Sequence, residues 1–166
     1  AEIGAAMGCA IAGIGGGGSL FSNSRAQWER TFNICWGGVY LCTRAFLPLM
    51  MKADEAHIVN TSSVNGFWAS IGPGVPHTAY CAAKFAVKGF TDALRIEIES
   101  VDKAPISITL IQPTAVDTPF PQHGKNYMEQ EPKLPTPMIE PQQVADAILE
   151  AAVTPTRNKK VGVMAT

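Results

Sequence analysis

Tyr80 and Lys84 are the two residues of this chain whose types and spacing best suit acid/base chemistry. On a helix, side chains four residues apart stack one turn above each other on the same face. A free phenol titrates near pH ~10 and is a poor acid or base at neutrality, but a neighbouring ammonium favours its ionised form and lowers that value. A tyrosine tuned in this way can exchange a proton with a substrate oxygen. The spacing is also that of an ordinary surface helix pair, so its meaning depends on what surrounds it. Ser63 lies past the apolar run Ile58-Val59 and ahead of the helix, where its hydroxyl can bond the same oxygen and hold it.

Three kinds of element must position these residues. Ser22 to Ser24 can cap a long, largely buried helix carrying Trp28, Phe32, Ile34, Val39, Leu41 and Phe46 and running towards Pro48. His57 to Thr61, closed by a Ser-Ser-Val-Asn-Gly turn signal, reads as a buried parallel strand. Thr78 fits the N-cap of a helix over Ala79 to Glu99, and Ile106 to Ile111 reads as a further strand before Pro113. Residues 114–140 hold five prolines, the pattern of an irregular active-site flap. Pro141 then opens a helix over Gln142 to Val153, and Lys160 to Met164 is expected as a last strand. Alternating helix and strand predicts one α/β domain over residues 1–166, with a parallel sheet whose ligands sit at the carboxyl ends of its strands.

Composition narrows the partners. Thirteen basic and fourteen acidic residues leave a formal charge of -1 without a strong block of either sign, which disfavours nucleic acid and acidic membranes. Cys9, Cys35, Cys42 and Cys81 lack zinc-site spacing, and His57, His77 and His123 lack the i, i+4 pattern of a helix-borne site, so no metal is expected. Thiols of this pattern suit the reducing cytoplasm. Ile3 to Phe21 is uncharged, but seven of its residues are glycine and four alanine, too weakly apolar for a membrane span.

The stretch Ile58 to Gly66 (IVNTSSVNG), followed by Tyr80-Cys81-Ala82-Ala83-Lys84, resembles the catalytic region of the short-chain dehydrogenase/reductase family with its YxxxK motif. Phe32-Asn33-Ile34 with Gly38-Val39 is similar to the family's helix bearing a catalytic Asn, and Pro113 to Thr118 (PTAVDT) to its turn after the sixth strand. The resemblance covers roughly Gly13 to Thr166. It implies a Rossmann-like doubly wound sheet and an oxidoreductase using NAD or NADP. It further implies Tyr80 as acid/base, Lys84 lowering its pKa and holding the nicotinamide ribose, Ser63 orienting the carbonyl and Asn33 supporting a water relay through Lys84. Gly13, Thr61, Tyr80, Lys84, Pro113, Thr114, Val116 and Thr118 are the implied cofactor contacts. Ser62 remains an alternative to Ser63 as the aligned hydroxyl, and Asn33 can instead satisfy a neighbouring carbonyl within its helix.

The chain also departs from that family. The first strands and their glycine-rich loop have no counterpart, so the resemblance implies a catalytic half without its cofactor-binding half and weakened dinucleotide binding. Gly13 to Gly18 satisfies G-x-G-x-x-G, yet no good strand is expected before it and Ser19 to Ser24 read as loop. Ala10-Ile11-Ala12-Gly13 keeps only the Ala-Gly of the family's Asn-Asn-Ala-Gly, and residues 1–8 read as the end of a helix rather than a strand. Thr114 stands where the family has Gly. Phe67, Trp68, Phe120 and Met138 in the loops predict a moderately large apolar alcohol or carbonyl substrate. The resemblance implies a homodimer or homotetramer paired through the helices from Ser24 and Thr78. The competing expectation is a non-catalytic remnant serving as a dimerisation or interaction module, and a sugar epimerase or dehydratase with a similar Tyr-Lys pair is a third.

Overall fold

The fold was analysed in a computed structural model, which describes residues 3–15, 18–69, 77–119 and 136–165. Four parallel strands form one sheet in the order β1-β2-β3-β4: β1 (Ile3–Ala10), β2 (Ala53–Thr61), β3 (Ile106–Pro113) and β4 (Asn158–Val161). β2 starts four residues before the expected run. Its last six residues are all buried, as a strand covered on both faces requires.

β1 corrects the sequence reading, which placed the end of a helix over residues 1–8 and all but no strand after it. Glycine and alanine have little intrinsic preference for extended structure, so Ile3–Ala10 carries no local strand signal. Pairing supplies what propensity lacks: β1 runs in register with β2 from Ile3 opposite Ala53 to Ala10 opposite Asn60. A strand therefore does precede the Gly13 to Gly18 run. After that run the chain turns, as expected, and the next helix begins only at Arg25.

That helix is capped by Ser24, whose hydroxyl accepts from the Gln27 amide at 3.3 Å. It runs as α1 (Arg25–Phe32), one π turn (Asn33–Gly37) and α2 (Gly38–Met50), passing through Pro48. It is not largely buried as expected. Its apolar residues spread around more than one face, and only the sides towards β1, β2 and α3 are covered, so Val39, Thr43 and Met50 are buried while Leu41, Phe46 and Leu49 face outwards. The helix α3 (Thr78–Ile96) is preceded by His77 at its N-cap. Thr78, expected there, is its first residue and accepts a hydrogen bond from Trp28 Nε1 at 3.0 Å, tying α1 to α3.

The helix α4 (Pro141–Val153) opens with Pro141 as expected. β4 begins earlier than the Lys160 expected and ends at Val161; the chain turns at Gly162 into a short 3-10 turn, Val163–Ala165. Alternate residues of the central strands face opposite cores. Ile58, Ile106 and Ile108 pack with Met50, Leu94 and Ile98 under α2 and α3, whereas Val59, Ile111 and Val161 pack with Ala147, Ile148 and Ala151 under α4. The strand order advances in one direction while the covering helix changes face, so the crossover through α4 has the opposite hand to the first two.

Candidate active site

The carboxyl ends of β2 and β3 and the first turns of α3 converge on one site. Ser62 and Ser63 come directly after β2 and are both buried. Ser62 Oγ donates to the Lys84 carbonyl at 2.8 Å, fastening the strand end to α3. Gly66 makes that approach possible, since a Cβ there would press on Ser62 Oγ and stand 2.7 Å from the Lys84 carbonyl oxygen. Ser63 is extended and caps the turn Val64–Gly66, its hydroxyl accepting from the Asn65 amide at 3.2 Å. The same hydroxyl lies near enough to the phenol of Tyr80 to pull its pKa down. Of the two serines, Ser63 is the one brought to Tyr80.

Lys84 is only 3% exposed, which an ammonium tolerates when its donors are satisfied. Its Nζ donates to the carbonyls of Ala12 at 2.9 Å and Thr61 at 3.1 Å, and lies 5.7 Å from the centroid of the Tyr80 ring. Burial pushes Lys84 below the ordinary lysine range, opposed by the Cys35 thiol. Burial pushes the Tyr80 phenol up, and the Cys35 and Cys81 thiols push it further. Ser63 pulls the phenol down, while the Lys84 ammonium is held by two backbone carbonyls beside the ring.

Asn33 is not brought to this cluster. It stands at the start of the π turn with its side chain exposed, while Cys35 on the same turn is fully buried beside Lys84 and Tyr80. The Ile14 amide donates to Cys35 Sγ at 3.4 Å and Sγ donates to the Ile14 carbonyl at 3.6 Å. A π turn fits more residues into one turn than the 3.6-residue period assumes, which changes the residue facing the site. Cys35 was missed in the sequence for that reason; the paired glycines Gly37-Gly38 are the available hint.

The residues expected to hold a cofactor divide into two groups. Thr61 ends β2, and Pro113 ends β3 on the neighbouring strand with Thr114 directly after it. Thr114 is held by its amide donating to the Val161 carbonyl at 2.9 Å; Val116 bridges to Ile139, and Thr118 Oγ1 donates to the Val116 carbonyl at 3.5 Å. The hydroxyls of Thr61 and Thr114 are buried without a partner. Unpartnered hydroxyls at the ends of adjacent strands, with the Lys84 ammonium on the Thr61 carbonyl, suit the polar groups of a nicotinamide riboside. Gly13 is exposed in the loop after β1. Among the described residues, no helix begins at that glycine run to receive a pyrophosphate, so the fit extends to the nicotinamide end only.

The surrounding loops are partly visible. Phe67 lies under the Lys160 ammonium at 4.9 Å, and Trp68 and Met138 are exposed, while Phe120 and the middle of the expected flap lie outside the described residues. Among the described residues no three His, Cys, Asp or Glu gather as a metal site, and no helix is long and apolar enough to cross a membrane.

Comparison with known proteins agrees with this geometry. The short chain dehydrogenase family model matches residues 9–128. The uncharacterized oxidoreductase YxnA of Bacillus subtilis (strain 168) is 35% identical over 128 residues, which are 76% of this chain and 35% of that protein. Retinol dehydrogenase 10 of Xenopus tropicalis is 36% identical over 124 residues, 75% of this chain and 35% of its own length. The chain thus spans about a third of the curated relatives it matches. Two solved structures share the fold: a short chain dehydrogenase/reductase from Burkholderia phymatum in complex with NAD (TM-score 0.75, 23% identity, 96% of this chain and 61% of that one) and a short chain dehydrogenase from Burkholderia cenocepacia J2315 in complex with NADP (TM-score 0.75, 20% identity, 96% and 60%).

Proposed function

The chain belongs to the short-chain dehydrogenase/reductase family, and on that premise we propose that it carries the catalytic half of an NAD- or NADP-dependent oxidoreductase interconverting an alcohol and a ketone or aldehyde. The observation that supports this most is the grouping of the Ser63 hydroxyl and the Tyr80 phenol with the buried Lys84 ammonium, 5.7 Å from the phenol ring. A substrate oxygen placed between the two hydroxyls accepts a hydrogen bond from Ser63 and the proton from Tyr80 as a carbonyl is reduced, and returns that proton when an alcohol is oxidised. The nicotinamide, when bound, supplies or receives the hydride. Thr61 and Thr114 offer it hydroxyls, Lys84 a cation near the ribose, and Val116 and Thr118 complete the wall.

An apolar alcohol or carbonyl compound is the substrate class this reading favours. Trp68 and Met138 present apolar surface near the mouth, and a relative is named for retinol, a long apolar alcohol. Residues 114–140 serve as the flap. The exposed Leu41, Phe46, Leu49 and Phe85 on α2 and α3 support pairing into a homodimer or homotetramer. We place the protein in the cytoplasm on the spacing of its four free thiols. The same exposed apolar residues favour a second reading, a non-catalytic dimerisation module. Titrating NAD and NADP into the chain separates the two. The first requires quenching of emission from Trp28, Trp36 and Trp68 and turnover of apolar alcohols; the second requires neither. Preference for small charged carbonyl compounds would sink the substrate class.

A further inference from the structure

The segment Ala12–Ile14 leaves β1 and reaches Lys84 while resting on the long helix at two places. Cys35 grips its far end through both backbone groups of Ile14, at 3.4 Å and 3.6 Å. A turn further along the helix, Gly38 lies under its near end: a Cβ on Gly38 would stand 2.6 Å from the Cβ of Ala12, closer than carbon atoms tolerate. Ala12, seated there, turns its carbonyl to Lys84 Nζ at 2.9 Å. Cys35 and Lys84 are 0% and 3% exposed, so water does not stand in for either contact. A thiol suits the first seat because it is a weak donor and a weak acceptor at once, and so meets the N–H and the C=O of one residue without adding charge.

We propose that Cys35 and Gly38 are positioning residues for the Tyr80–Lys84 pair, seating the Ala12–Ile14 segment on the helix so that the Ala12 carbonyl is fixed as an acceptor for the Lys84 ammonium. The proposal rests on the acid/base reading of Tyr80 and Lys84. Burial pushes the Cys35 thiol up, against the pull of the Ile14 backbone and of Lys84.

The test tracks the titration of Lys84 by NMR in the full chain labelled with carbon-13 lysine, in the parent and in Cys35→Val, Cys35→Ser and Gly38→Ala, each checked for fold by circular dichroism. Loosening a carbonyl that stabilises the charged form lowers the midpoint, so Cys35→Val and Gly38→Ala are expected to titrate about half a pH unit or more below the parent. Cys35→Ser keeps a donor and an acceptor and is expected to stay close to the parent. Folded variants whose Lys84 stays within about a tenth of a pH unit of the parent would overturn the proposal. Should Cys35→Val not fold, Gly38→Ala decides by the same criterion. Turnover of the parent separates this from the functional reading. A parent with no turnover whose variants still shift Lys84 refutes the oxidoreductase and supports the seating; a working parent with unmoved Lys84 refutes the seating alone.

Discussion

The two faces of the sheet bury polar groups for different ends. Under α2 and α3, one group of buried polar side chains gathers at the strand ends, Lys84 on the carbonyls of Ala12 and Thr61 and Ser62 on the carbonyl of Lys84, with Asn60 on Thr91 at 3.1 Å behind them, while Arg95 bonds the Ile108 carbonyl further back. Under α4 the polar contact is mid-strand, His57 Nε2 to Thr109 Oγ1 at 2.9 Å, and its neighbours Val59, Ile111 and Ile148 are apolar. The first arrangement spends polar burial on holding a cation beside a phenol. The second joins β2 to β3. Period-two alternation lets β2 take part in both.

If this division holds, substitutions on the two faces separate activity from stability. The largest effect is expected from Tyr80→Phe, which removes the proton donor and should lower turnover by roughly 100- to 10,000-fold while the thermal melt stays near that of the parent. Near-normal turnover would break the comparison. Ser63→Ala removes the group that pulls the phenol down. Alcohol oxidation needs the ionised phenol, so its rate should rise with pH through the alkaline range, and in Ser63→Ala that rise should move to higher pH with a rate loss of about 10- to 100-fold. On the other face, Ile148→Ala should cost about 2–5 kcal/mol in denaturant melts and leave the pH profile of turnover in place.

His57 gives a smaller, pH-dependent effect. Burial pushes its imidazole below the ordinary value of 6.5, against the pull of the Ala152 backbone and Glu55. The unfolded chain therefore binds a proton before the folded one does. The stability from neutral His57 is complete above 6.5 and lost as pH falls below it, with a slope of at most about 1.4 kcal/mol per pH unit for one proton. Melts of the parent and His57→Gln between neutral and mildly acid pH check this, and the variant should show the shallower dependence. Smallest of all, Thr78→Val deletes the exposed hydroxyl bonded to Trp28 and should cost about 1 kcal/mol or less.

Legibility in the sequence depended on how local each cause was. Tyr80 and Lys84 share a helix face because one regular helix carries both, and Ser63 comes after a strand whose own residues demand burial. β1 was illegible because the strand is imposed by its neighbour rather than by Gly4-Ala5-Ala6, whose propensities oppose it. The site residue on the long helix was misplaced because an ideal period does not carry across a π turn, so that Asn33 stood out and Cys35 did not. The relation of Lys84 to Tyr80 was hidden for a third reason. Spacing brings two side chains near each other but does not show which backbone carbonyls compete for the ammonium.

β1 also bears on what can join the sheet. It is an edge of the sheet, eight residues long and without a charged side chain, and among the described residues no strand lies on its outer side. Edges of this kind are normally guarded by a lysine, a proline or a bulge, because their free amides and carbonyls template the strand of another molecule. β1 is therefore the place where a further strand, from this protein or from another molecule, would extend the sheet, and its exposed Met7 is where a lysine would discourage the foreign one.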